Sequence, residues 1–132
     1  MSQENVELVR SIYADWERGD YVSTWWAHPD IEWVRADGPE PGSWTGADQM
    51  VEQWRVFLAT WEDWQTNPPA SYRELDEERV LVLDHPGGRG KASGMEMESI
   101  GATIFRVRSG KVAQIVSYWH RDRALADLGL DE

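Results

Sequence analysis

Apolar side chains recur at three- and four-residue spacing from Asn5 to Arg18, where Val6, Val9, Tyr13 and Trp16 form one stripe flanked by Ile12. That spacing predicts an amphipathic helix, which Gly19-Asp20 ends. Asp20 is placed to cap a second, short helix through Val22, Trp25 and Trp26 that stops before Pro29. Ile31 to Arg35 alternates as a strand with Ile31, Trp33 and Arg35 on one face, and the Gly- and Pro-rich stretch from Asp37 to Gly42 reads as a loop. From Ala47 to about Asp63 a longer helix aligns Met50, Trp54, Phe57 and Trp61, with Val51 and Leu58 beside the stripe.

Beyond Trp64 the period shortens to two. Strands are expected from Tyr72 to Leu75, Arg79 to Asp84, Met95 to Val107 and Lys111 to His120, with turns at Pro86-Gly87-Gly88-Arg89-Gly90 and Ser109-Gly110-Lys111. Asp122 to Leu128 reads as a last short helix with Gly129 as its stop. Helices first and strands afterwards predict an α+β fold, a single domain over residues 1–132, with the helices laid on one face of a curved antiparallel sheet and a hollow between the layers.

Composition narrows the function classes. No apolar run approaches the roughly 20 residues that a membrane span needs, and no basic segment followed by an apolar stretch opens the chain, so a cytoplasmic location without membrane contact is expected. The chain has no cysteine, which removes thiolate metal sites and a cysteine nucleophile. A formal net charge of −11 repels nucleic acid phosphates, so nucleic acid is not an expected partner. Nine tryptophans are the unusual feature. Indole buries a large area and offers one donor, so these rings either pack a core or line a cavity.

The succession of Tyr13 through Trp16 to Gly19-Asp20, then His28-Pro29-Asp30-Ile31-Glu32-Trp33, Gly46, and Phe105 to Gly110-Lys111-Val112 resembles the SnoaL-like family of the nuclear transport factor 2-like superfamily. The marks span nearly the whole chain. The resemblance implies a bent antiparallel sheet wrapped by three helices into a cone, a cystatin-like α+β barrel often paired as a homodimer through its outer sheet face. Enzymes of this kind include polyketide cyclases, ketosteroid isomerase-like proteins and limonene epoxide hydrolase-like proteins. Their catalytic residues do not carry over. The cyclases and epoxide hydrolases place an aspartate where this chain has Ser117, and Thr103 stands where the cyclases have a histidine and the isomerases a protonated aspartic acid. The isomerases' tyrosine falls on Ile12, and their general base falls near Arg35 or on Val34.

Alternation puts Met95, Met97, Ser99, Thr103 and Phe105 on one face of a strand, and Ile115, Ser117 and Trp119 on the matching face of the next. With Tyr13, Trp16, Trp33, Trp54, Phe57 and Trp61 they compose either an aromatic pocket with a few hydroxyls or a packed core. Arg35, turned inward, needs a carboxylate such as Asp37 or Glu40, or a ligand anion. His120 faces away from Trp119 and is either an acid/base group or a residue at the strand end or dimer face, while His85 and His28 fall in turns. Glu96 and Glu98 face outward, and a register shift of one would turn them inward as paired carboxylates.

Three scattered histidines give no metal-ligand spacing, and Gly87-Gly88-Arg89-Gly90 does not precede a helix, so neither a metal nor another cofactor is expected. The candidate catalytic set is Tyr13, Arg35, Thr103, Ser117 and His120 around a small apolar organic molecule. Two functions fit: a cyclase or isomerase using general acid/base chemistry on an enolisable ketone, with Arg35 and Tyr13 stabilising the oxyanion and no base identified, or a non-catalytic module binding an aromatic or polycyclic metabolite. A purely structural dimer requires the inward faces to be filled.

Overall fold

The computed structural model describes residues 2–38 and 41–130. Its elements run α1 (Ser2–Glu17), β1 (Ala27–Arg35), β2 (Gly42–Thr45), α2 (Ala47–Ala59), β3 (Trp61–Gln65), β4 (Ser71–Glu74), β5 (Arg79–Asp84), β6 (Gly87–Gly90), β7 (Glu96–Glu98), β8 (Gly101–Arg108), β9 (Lys111–Tyr118) and α3 (Arg121–Leu128). Six strands form one sheet in the order β2-β1-β9-β8-β5-β4, and β3-β6-β7 form a second, smaller one. The fold is α+β, but the large sheet is mixed rather than antiparallel, because β1 pairs with β9 in parallel. The hairpin joining β8 to β9 turns at Ser109 and Gly110, both at positive φ (53° and 76°), and sets Thr103 opposite Ser117 and Phe105 opposite Ile115.

One face of the large sheet carries the main core. Val9, Ile12, Tyr13 and Trp16 of α1 and Met50 of α2 pack there on Ile31, Trp33, Val80, Val82, Phe105 and Ile115. The other face is covered in part by α3, whose Ala124 and Leu125 bury Leu81, Ala102 and Ile104. Two helices, not three, therefore precede most of the sheet, and the third lies across its outer side. None of the described helices is long and apolar enough to cross a membrane.

The second expected helix does not form. Asp20 accepts the backbone N–H groups of Val22 (3.2 Å) and Ser23 (3.1 Å) and the Ser23 hydroxyl (2.6 Å), which closes a local turn instead of opening a helix. Strand pairing then takes over the chain: the Val112 N–H donates to the Trp26 carbonyl at 2.8 Å, and β1 begins at Ala27. The long helix likewise stops at Ala59, and Trp61 opens β3.

The glycine-rich stretch at 87–90, expected as a turn, is a strand whose glycines let neighbouring atoms approach closely. A Cβ on Gly88 would lie 2.9 Å from the Trp64 ring, and one on Gly87 would lie 2.8 Å from the Met97 carbonyl oxygen. The expected strand from Met95 to Val107 is two strands in different sheets, β7 and β8, separated at Ser99-Ile100. Glu96, Met97 and Glu98 are all exposed, so neither the methionines nor the paired carboxylates enter the core.

Candidate functional site

Between α1, α2 and the inner face of the large sheet lies a cavity of about 100 Å³. Its wall includes Tyr13 and Trp16 from α1, Trp33 and Arg35 from β1, Trp54 and Phe57 from α2, Trp64 from β3, Asp84 from β5, Thr103 from β8, and Ile115 and Ser117 from β9. Asp37, Thr66, Asn67, Pro86, Ser99, Tyr118 and Trp119 complete it. Of the expected aromatic lining, Trp61 and Phe105 stand behind the wall. Trp61 stacks on Trp119 with centroids 6.2 Å apart, and Phe105 is fully buried against Tyr13 and Trp16. Met97 lies away from the cavity, 43% exposed on β7, because the chain changes sheets before Ser99.

The polar centre of this wall is Asp84, which is absent from the candidate set that the sequence suggests. Val80, Val82 and Asp84 alternate inward along β5, so the strand that supplies two core valines ends by turning a carboxylate onto the same face. Asp84 is 7% exposed. Its Oδ2 accepts the Thr103 hydroxyl at 2.7 Å and the Tyr13 hydroxyl at 3.0 Å. Both donors reach the same oxygen, and among the described residues Oδ1 has no hydrogen bond. Burial raises the Asp84 carboxyl above the ordinary aspartate range, against the lowering effects of the Thr103 and Tyr13 hydrogen bonds and of the Arg121 and His85 charges. Burial, followed by the Asp84 charge, pushes the Tyr13 hydroxyl well above its usual value and keeps it a donor.

Arg35 is also on the wall, 9% exposed, with its guanidinium carbon 4.7 Å from the centre of the Trp33 ring and 4.9 Å from those of Trp44 and Phe57. It donates to the Gln53 carbonyl at 3.3 Å. Of the two expected carboxylate partners, Glu40 lies outside the described residues, and Asp37 is engaged elsewhere. Asp37 Oδ1 accepts the Trp119 backbone N–H at 2.5 Å, and its Oδ2 pairs with His120 Nδ1 at 2.9 Å. His120 is therefore exposed outside the cavity, at the N-cap of α3, tied to a residue of the wall.

Ser117 accepts a long hydrogen bond from the Trp33 indole at 3.5 Å. Thr103 and Ser117, on adjacent strands, face the same cavity as Tyr13 and Arg35. Among the described residues no group of three His, Asp or Glu side chains is arranged to hold a metal ion. The arrangement is thus a largely aromatic hollow with the buried Asp84 carboxyl, two hydroxyls that donate to it and one guanidinium.

The sequence profile of the SnoaL-like domain matches residues 9–115. No curated protein matches the chain in sequence. Among solved structures, an NTF2-like protein from Burkholderia thailandensis E264 is similar at 23% identity, covering 85% of this chain and 87% of that one with a TM-score of 0.77. A candidate polyketide cyclase from Xanthomonas campestris pv. campestris is similar at 18% identity, with 95% and 96% covered and a TM-score of 0.76. TerC, co-crystallised with polyporic acid, is similar at 20% identity, with 95% and 97% covered and a TM-score of 0.74. At these identities the likeness is one of fold.

Proposed function

The chain belongs to the SnoaL-like domain family, and we propose that it takes a small planar organic molecule into this cavity and moves a proton on it, with Asp84 as the acid/base group. The observation that carries the reading is the Asp84 carboxyl itself: buried on the cavity wall, held by Tyr13 and Thr103 through one oxygen, and raised in proton affinity by its surroundings. A carboxyl shifted upward by burial is a better base than one in water and can carry a proton closer to neutral pH. Because Oδ2 is occupied by two donors, Oδ1 is the oxygen that exchanges a proton with a ligand. Arg35 and Ser117 supply donors to an oxygen that gains charge as a ketone enolises, while Tyr13 and Thr103 keep their single hydroxyl protons on Asp84.

The reaction class that fits is proton abstraction beside a carbonyl, as an isomerase or cyclase performs it. Deuterium exchange at the α-carbon of 2-tetralone, followed by proton NMR in deuterated buffer, tests this directly. The wild-type chain should exchange faster than buffer alone, and Asp84→Asn should fall to the buffer rate while still quenching its tryptophan fluorescence on adding the ketone. Exchange that persists in Asp84→Asn removes Asp84 from the role.

A binding module without chemistry is the second reading. It is favoured by Ser117 and Thr103, which stand where cyclases of this kind carry an aspartate and a histidine. Ligand binding with no exchange in the wild-type chain would select it.

A further inference from the structure

β5 ends at Asp84 and β8 begins at Gly101, and the two residues face each other as the last pair of the antiparallel register. One side chain holds both. Arg121, the first residue of α3, donates from Nε to the Gly101 carbonyl and from Nη2 to the Asp84 carbonyl, each at 3.0 Å. Its backbone N–H donates to the Ile100 carbonyl at 2.8 Å, so the main chain and the side chain of Arg121 are both anchored on this strand end.

The two bridged carbonyls belong to the residues that set where the carboxyl lies. Asp84 carries it, and Gly101 is what its Oδ1 rests against, since a Cβ on Gly101 would lie 2.7 Å from that oxygen. Tyr13 and Thr103 fix the other oxygen. A planar guanidinium with donors on separate nitrogens spans two carbonyls in one fixed geometry, whereas a lysine ammonium offers a single point of attachment.

We infer that Arg121 is a positioning residue for Asp84: from the α3 side of the sheet it fixes the strand end that aims the carboxyl into the cavity. The inference rests on the reading of Asp84 as the acid/base group, and it extends the site to a helix outside the cavity wall.

Charge acts through the same contact. Burial raises the Asp84 carboxyl, and the Arg121 charge works against that rise. Among the described residues Arg121 has no ion pair, and its side-chain hydrogen bonds go to the two main-chain carbonyls. The other titratable groups around Asp84 are Tyr13 of α1, Tyr72 of β4 and the adjacent His85, whose Nδ1 lies 3.7 Å from Glu98 Oε2. A guanidinium keeps its charge at every working pH.

Carbon-13 NMR of the Asp84 carboxyl, assigned by its loss in Asp84→Asn, follows its titration in the full chain without any ligand. Arg121→Met loses the charge and the bridge together and should move the midpoint upward by at least about half a pH unit. Arg121→Lys keeps the charge and should stay within about 0.3 pH units of the wild type. Exchange at the α-carbon of 2-tetralone, measured at saturating ketone and at a pH above every midpoint, then reads position alone, because Asp84 is ionised in all three proteins. Both variants should exchange at least about tenfold more slowly than the wild type, with ketone affinity within about threefold of it. An unmoved midpoint in Arg121→Met, or wild-type exchange in Arg121→Lys, overturns the inference. A wild-type chain that shows no exchange while Arg121→Met still moves the midpoint removes the proton-transfer reading and leaves Arg121 as the group that holds the carboxyl. Should Arg121→Met not fold, the wild-type chain supplies the measurement. Its Arg121 Nε–H resonance should shift at the Asp84 midpoint and lose that step in Asp84→Asn, and a resonance without the step overturns the inference.

Discussion

The Tyr13 hydroxyl donates to Asp84 Oδ2 at 3.0 Å, joining α1 to the end of β5 across 71 positions of sequence. Thr103 of β8 donates to the same oxygen at 2.7 Å. A helix and two strands thus converge on a carboxylate whose surroundings are otherwise mostly apolar, and the helix is held to the sheet at the cavity wall. Neither donor carries a positive charge. The carboxylate is solvated by hydroxyls alone in this contact, which leaves burial as the dominant influence on its proton affinity.

Asp84→Asn should change how stability depends on pH. In the unfolded chain the carboxyl releases its proton near about pH 3.9, and in the folded chain burial raises that point. Between the two values the folded state holds a proton that the unfolded state has lost, so stability declines as pH rises through this window and stays lower above it. Asparagine cannot ionise and keeps an oxygen for Tyr13 and Thr103. Denaturant titrations of both proteins should give their smallest difference at the acid end of the window, with the variant gaining on the wild type toward neutral pH. A wild type that gains on the variant instead would show that the carboxylate is stabilised by folding.

Thr103→Val removes the shorter of the two donors without changing side-chain volume much. Hydrogen bonds to charged groups contribute about 1.5–3 kcal/mol and neutral ones about 0.5–1.5 kcal/mol. The substitution should therefore cost more at neutral pH in the wild-type background than in Asp84→Asn. A double-mutant cycle measures the difference, and equal costs in both backgrounds would mean that Asp84 is neutral throughout.

Gly101 is a steric necessity of the same site. A Cβ there would stand 2.7 Å from Asp84 Oδ1, 2.8 Å from the Tyr118 carbonyl oxygen and 3.0 Å from the Ser99 hydroxyl. Two of these are held by strand pairing or by burial, so the neighbours have little room to move. Gly101→Ala should cost about 1–3 kcal/mol by overpacking and should displace the Asp84 carboxyl, lowering the α-proton exchange rate together with the melting temperature. Normal exchange in a fully folded Gly101→Ala would show that Oδ1 is not the working oxygen.

Local pattern made much of this structure legible. The spacing of Val9, Ile12, Tyr13 and Trp16 marks the buried face of α1, and the Ser109-Gly110 turn fixes which residues of β8 and β9 look inward. The cavity's central carboxyl was harder to see. The alternation of Val80, Val82 and Asp84 does signal it, but the donors that make burial tolerable are 71 and 19 positions away, and no local rule pairs them. The failures at 20–26 and 87–90 share one cause. Asp20 beside Ser23 suits a helix cap or a turn equally, and glycines suit a turn or a close-packed strand, so contacts with Val112 and Trp64 made the choice.

Asp37 is expected to govern entry to the cavity. Its two oxygens hold the Trp119 backbone N–H at 2.5 Å and His120 Nδ1 at 2.9 Å, and the neighbouring Gly38, at φ 84°, leaves no space for a Cβ against Trp119. The loop after β1 therefore rests on the backbone of Trp119, whose ring stacks with Trp61 and Trp64 and forms part of the wall. Asp37→Ala removes both contacts and leaves a part-buried N–H unpaired, a loss of about 1–3 kcal/mol. Asp37→Asn keeps an acceptor for Trp119 and loses only the charge facing His120. Stopped-flow fluorescence with 2-tetralone should show faster release from Asp37→Ala than from the wild type, with Asp37→Asn close to wild type. Equal release rates in all three proteins would mean that the Trp119 ring keeps its place without the loop.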